Sequence, residues 1–139
     1  MPHIINGIEC RSKIESLQHI LDQAKKGKLG PNTEKGDGRG DCSYLYPSGN
    51  HCAVGCLFSE AQIQAIINED VNESDVALIV DTFGRKNIEA VTGMTFEELR
   101  DLQTLHDHAF GSYLATREDS IAMITSKVKT LLARAIVQV

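Results

Sequence analysis

No surplus of positive charge marks this chain. It has 14 Lys and Arg against 19 Asp and Glu, a formal net charge of −5 over 139 residues. A generic nucleic-acid surface needs clustered cations to displace counterions, and here the densest group, Lys25, Lys26 and Lys28, sits where a helix ends and cations are favoured anyway. Long apolar runs are also missing, and none approaches the ~20 residues that span a bilayer. Met1 to Ile8 has neither a basic start nor an apolar stretch, so no secretory leader is read there. The expectation is a cytoplasmic protein with reduced cysteines and no membrane or generic nucleic-acid partner. The glycines match no phosphate loop or dinucleotide fingerprint, since neither GK[ST] nor GxGxxG occurs. "GDGRGD" lacks the spacing and the later glutamate of a calcium loop. "RGD" at Arg39-Gly40-Asp41 is a three-residue match without the secreted context it would need.

What is present reads as one domain over residues 1–139, long enough for one hydrophobic core. From Ile8 to Lys26, Cys10, Ile14, Leu17, Leu21 and Ala24 recur at helical spacing, with Gly27 and Gly30-Pro31 as the stop. Residues 27–41 are polar and glycine-rich and read as an exposed loop. "CSYLYPSGNHCAV" alternates around Pro47-Ser48-Gly49-Asn50, which predicts a short β-hairpin near residues 42–54. Ser59 with Gln62 is a capping-box pattern for a helix to about Glu69. Ser74 opens another, Asp75 to Phe83, closed by Gly84. Thr95 with Glu98 caps a third, to about Phe110. The last runs from Asp119 to Val137, with Ile121, Ile124, Val128, Leu131, Leu132 and Ala135 on one stripe. The fold expected is mainly α (α+β), about five helices around one core with one hairpin. Ile136, Val137 and Val139 add apolar surface beyond that stripe, which reads either as a subunit contact of a homo-oligomer or as a fraying helix end.

Chemistry concentrates in "DCSYLYPSGNHCAVGCLFSEAQ", Asp41 to Gln62, which holds three of the four cysteines. Three readings stand open for Cys42, Cys52 and Cys56. They are small buried hydrophobes, or zinc ligands completed by His106 as a Cys₃His set, or they include a nucleophile. In the last case Cys52 follows a tight turn near the start of a helical segment, where backbone N–H groups lower a thiol pKa, with His106 as base and Asp107 as its orienter. Advancing each residue by about 100° on the helix from Thr95 places His106 near the middle of the apolar half formed by Phe96, Leu99, Leu102, Leu105, Ala109 and Phe110. His108 points about 160° away, with Asp101 and Thr104, and Asp107 lies at the border. "HDH" is therefore not one ligand cluster. Cys10 reads as core. Tyr44 and Tyr46 alternate on the expected hairpin, either covering one face of it or forming a ligand-binding surface beside the glycine-rich loop.

Cys42, Tyr44, Gly49, Cys52-Ala53-Val54-Gly55 and Leu57, followed by Leu102-Gln103 and His106-Asp107, resemble a pattern in a family of small uncharacterised bacteriophage and prophage proteins. That pattern runs C-x-Y, then G-x-x-C-A-V-G-x-L-I-P, and later L-Q-x-x-H-D. The likeness covers two patches, about a quarter of the chain, and departs at Phe58-Ser59 where the pattern has Ile-Pro. It implies a phage origin more than a mechanism. The function expected is an accessory protein that binds a host protein or a small signalling molecule, for instance against host defence. The alternatives are a cysteine-dependent hydrolase or transferase using Cys52 with His106, and a domain stapled by zinc. The cofactor is accordingly none or zinc.

Overall fold

The computed structural model describes residues 3–5, 8–30, 44–45, 49–72, 75–110 and 117–137. Among these the chain is mainly helical. An antiparallel pair, β1 (His3–Ile5) and β2 (Ile8–Cys10), leads into α1 (Lys13–Lys25), a 3-10 turn (Gly55–Leu57), α2 (Glu60–Asn68), α3 (Val76–Phe83), α4 (Arg85–Thr92), α5 (Phe96–Phe110) and α6 (Arg117–Val137). No helix among the described residues is long and apolar enough to cross a membrane.

Local chemistry sets most of the helix starts. Ser12 and Glu15 form a reciprocal capping box, each side chain 3.1 Å from the other's backbone N–H. Ser59 with Gln62 and Thr95 with Glu98 repeat the device on α2 and α5, as the S/T-x-x-E/Q spacing predicts. The Asp75 carboxylate accepts from Leu78 N–H at 3.0 Å and caps α3. Gly84, at φ 93°, closes α3 and opens α4.

Two expectations need correction and a third is not shown. The region from Ile8 is not helical throughout: Ile8–Cys10 pairs as β2 and the helix starts only after Ser12, so buried Cys10 belongs to a strand end. A hairpin at 42–54 is not shown. Of that stretch, 42–43 and 46–48 lie outside the described residues, His51 makes a lone parallel bridge to Leu29, and a 3-10 turn follows. The glycine-rich loop is not exposed from its start. Leu29 is fully buried, Gly30 N–H donates to His51 O at 2.9 Å, and His51 N–H donates to Lys28 O at 3.2 Å. Residues 31–41 lie outside the described set. One helix went unread: α4 is two turns long with Ile88 and Val91 as its buried apolar side chains, and a glycine stands where a capping side chain would have signalled it.

The core forms where α6 lies against α1 and α5, with Leu17, Ile20, Leu99, Leu102, Ile124 and Val128 fully buried. Burial of each such side chain contributes about 1.5–3 kcal/mol. Ile136 and Val137 remain 54% and 84% exposed, outside the core stripe as their positions imply.

The start of α1 docks onto the end of α4 through backbone. Arg11 N–H donates to Val91 O at 2.9 Å, Ser16 Oγ donates to Thr92 O at 2.5 Å, and Thr92 Oγ1 donates to Ile88 O at 2.9 Å. Gly93, in the left-handed region at φ 69°, lies so close that a Cβ there would stand 2.5 Å from Lys13 N and from Ser12 C. Gly49 has a similar φ of 92° with open space around it. Gly49→Ala is therefore expected to lose about 1 kcal/mol to backbone strain alone, and Gly93→Ala at least about 2 kcal/mol more. Urea unfolding midpoints of the two variants check this; equal losses would show that the close approach at Gly93 contributes nothing.

Candidate functional site

Hydrogen bonds to the backbone hold the described residues between Tyr44 and Phe58. Tyr44 N–H donates to Asn72 O at 3.0 Å, and the Asn72 side-chain amide exchanges two hydrogen bonds with Leu45, each 3.0 Å. His51 Nδ1 lies 2.6 Å from Tyr44 O. Gly55 passes directly beneath Tyr44: a Cβ at Gly55 would stand 2.7 Å from Tyr44 Cα. The glycine of "CAVG" is thus required by the close approach of two backbones.

The Tyr44 side chain is 0% exposed, its ring edge-on to Phe58 at 6.3 Å and 74°. Burial, reinforced by the charges of Asp75 and Asp107 and opposed by a hydrogen bond from Gln103, drives its hydroxyl well above the ordinary tyrosine range. Tyr44 is therefore a core residue, and an exposed tyrosine surface is not formed by it. Tyr46 lies outside the described residues.

Gln103 is the residue that sequence reasoning missed. Its Nε2 donates to Tyr44 Oη at 3.2 Å and its Oε1 accepts from Val76 N–H at 2.8 Å, so one buried amide joins the 44–58 segment, the first turn of α3 and α5. The signal was available. On the α5 wheel Gln103 falls between Phe110 and Phe96, inside the apolar half, where a polar group must find partners.

The other α5 positions lie as the wheel places them. His106 is 0% exposed, His108, Asp101 and Thr104 face solvent, and Asp107 is half-buried. Burial holds the His106 imidazole below its ordinary pKa, with Asp107 opposing. Asp107 Oδ1 stands 3.8 Å from His106 Nδ1, beyond hydrogen-bond reach in this arrangement.

Cys52 is disulfide-bonded, and its Sγ accepts from Gly55 N–H at 3.2 Å. In that state it supplies no thiolate, so nucleophilic or metal-ligating chemistry there would require reduction first. Cys10 and Cys56 are buried and lie outside any disulfide. The Cys56 thiol donates to Ala53 O at 3.2 Å, and burial pushes its pKa up to about 12 against the opposing charge of Arg11, so it stays protonated. Cys42 lies outside the described residues. No group of three or more His, Cys, Asp or Glu side chains among the described residues is arranged to hold a metal ion.

A concave feature does exist elsewhere. Between α2 and the α3–α4 corner a cavity of about 220 Å³ is lined by Phe58, Gln62, Ala65, Ile66, Phe83, Asn87, Ile88 and Val91. Phe58, whose ring packs edge-on with Tyr44, is one of its lining residues. None of its lining residues carries a charge.

Comparison with known proteins finds no family model, no curated protein and no solved structure that matches this chain.

Two outcomes follow from the buried polar groups. Burial in the fold favours the neutral form of His106, whereas the unfolded chain takes up its proton below about pH 6.5. Stability is therefore full above that pH and falls as pH is lowered through 6.5 toward the depressed folded-state value. His19, lowered first by burial and then by Arg11, acts in the same direction. Urea midpoints between pH 7.5 and 5 should fall with pH, and less steeply in His106→Leu; an unchanged slope would mean that His106 is not held neutral. Gln103→Leu leaves both Val76 N–H and Tyr44 Oη without this partner and is expected to cost about 2–4 kcal/mol. Combined with Tyr44→Phe, the loss should be less than the sum of the single variants, which a double-mutant cycle measures.

Proposed function

We propose that this chain is a non-enzymatic binding protein that receives an apolar anchor side chain of a partner protein in the cavity between α2 and α4. The observation that carries this reading is the chemistry of the cavity: about 220 Å³, bounded by two phenylalanines and aliphatic side chains, with the amides of Gln62 and Asn87 as its polar groups. A cavity of about 150 Å³ accommodates benzene. This one matches a single aromatic or branched aliphatic side chain. A phosphate-bearing signalling molecule would meet no cation there, so of the two ligand classes raised by the sequence the protein partner is favoured. The phage-type resemblance makes a host protein the expected partner class, with occupancy in place of catalysis as the mode of action. The cysteine-dependent alternative draws no support from a disulfide-bonded Cys52 and a Cys56 thiol that remains protonated at neutral pH.

Ala65 lines the cavity and is half-buried, so Ala65→Phe fills the space from its wall. Titration with N-acetylphenylalaninamide, followed by amide chemical shifts, should give saturable changes at Ala65, Ile88 and Val91 that are at least tenfold weaker in Ala65→Phe. Shifts that ignore this substitution, or no saturable change at all, would remove the cavity from the reading.

A further inference from the structure

A second cleft, between α1, α5 and α6, has the opposite chemistry from the cavity at α2. Its volume is about 200 Å³, and its apolar lining is the buried Leu17, Met94 and Leu102 together with the half-buried Leu105 and Leu131. Its rim is charged. Lys13 and Glu98 pair with each other across it and offset one another. Asp101 also stands on the rim, and its side chain is 3.8 Å from Arg100. Lys127 and Arg134 come from α6, two helical turns apart on one face, and neither has an ion-pair partner among the described residues. Setting the Lys13–Glu98 pair aside, two cations face one carboxylate, so this rim favours an anion in a chain whose overall charge is −5.

An apolar floor and a cationic rim select a ligand with both characters. A purely inorganic anion would leave the floor unfilled, and a neutral hydrocarbon would gain nothing from Lys127 and Arg134. The volume exceeds by a modest margin what benzene occupies, which suits a chain of about six to eight carbons and excludes a nucleotide. We propose that this cleft binds a small aliphatic carboxylate, its chain lying along Leu105 and Leu131 and its head group held by Lys127 and Arg134. The site is separate from the α2–α4 cavity and does not rest on the function assigned to that cavity.

The test is a titration of the full chain with sodium octanoate, monitored by methyl and amide chemical shifts, beside parallel titrations with octanamide and N-acetylleucine. Octanoate should saturate with shifts centred on Leu102, Leu105 and Leu131, and octanamide should bind at least tenfold more weakly. Lys127→Gln combined with Arg134→Gln, both exposed helix positions where glutamine preserves the fold, should weaken octanoate at least tenfold and leave octanamide unchanged. Equal affinity for octanoate and octanamide, shifts centred on Phe83 and Ile88, or an absence of saturation would overturn the assignment. N-acetylleucine binding tenfold tighter than octanoate would overturn it too, because the occupant would then be a peptide terminus.

Discussion

One buried amide ties the structure together. Gln103 carries a strongly polar group into a site that water does not reach, where each unmatched hydrogen-bonding atom is costly. It is tolerated because Tyr44 and the first N–H of α3 arrive at its two ends. Each of those partners is itself fixed by something else. Tyr44 is pinned by Asn72 and His51 and by the close passage of Gly55, and Val76 is placed by the Asp75 cap. A helix start, an irregular segment and the longest apolar face of α5 thus share a single register. Small errors in any of the three would strand a buried donor or acceptor.

The same constraint accounts for where open space remains. With the 44–58 segment fixed, Phe58 is presented between α2 and α4 and forms one wall of an uncharged cavity. The three-helix side, by contrast, is closed by long charged side chains laid over a leucine and methionine floor. The two concavities differ in the property that governs recognition. One can reward only shape and apolar contact, while the other adds a preference of sign.

The cysteines illustrate how position outranks residue type. Cys10, Cys52 and Cys56 are all buried, yet one ends a strand, one is in a disulfide beside Gly55, and one donates to a carbonyl three residues back. In the described part of the 41–62 stretch, the chemically rich side chains serve backbone that lies outside the longer helices. Tyr44, His51, Cys52, Gly55 and Cys56 each satisfy or accommodate backbone there.

The starts of α2, α3 and α5, the inward face of α5 and the stripe on α6 were legible from the sequence alone, because capping and amphipathic periodicity depend on residues within one or two turns of each other. The burial of His106 and the exposure of His108 follow from that periodicity and from nothing further. By the same reasoning Gln103 could have been read as buried, although not its partners. What only the tertiary structure decided depends on residues far apart in the chain: Leu29 meeting His51, Gly93 against the start of α1, Tyr44 above Gly55 and at Gln103. The expected hairpin rested on local alternation, but a strand needs a neighbour to take its backbone hydrogen bonds. Here Asn72 and Lys28 took those of Tyr44 and His51 instead. Both cavities are likewise products of helix packing, since their walls come from elements that no local pattern brings together.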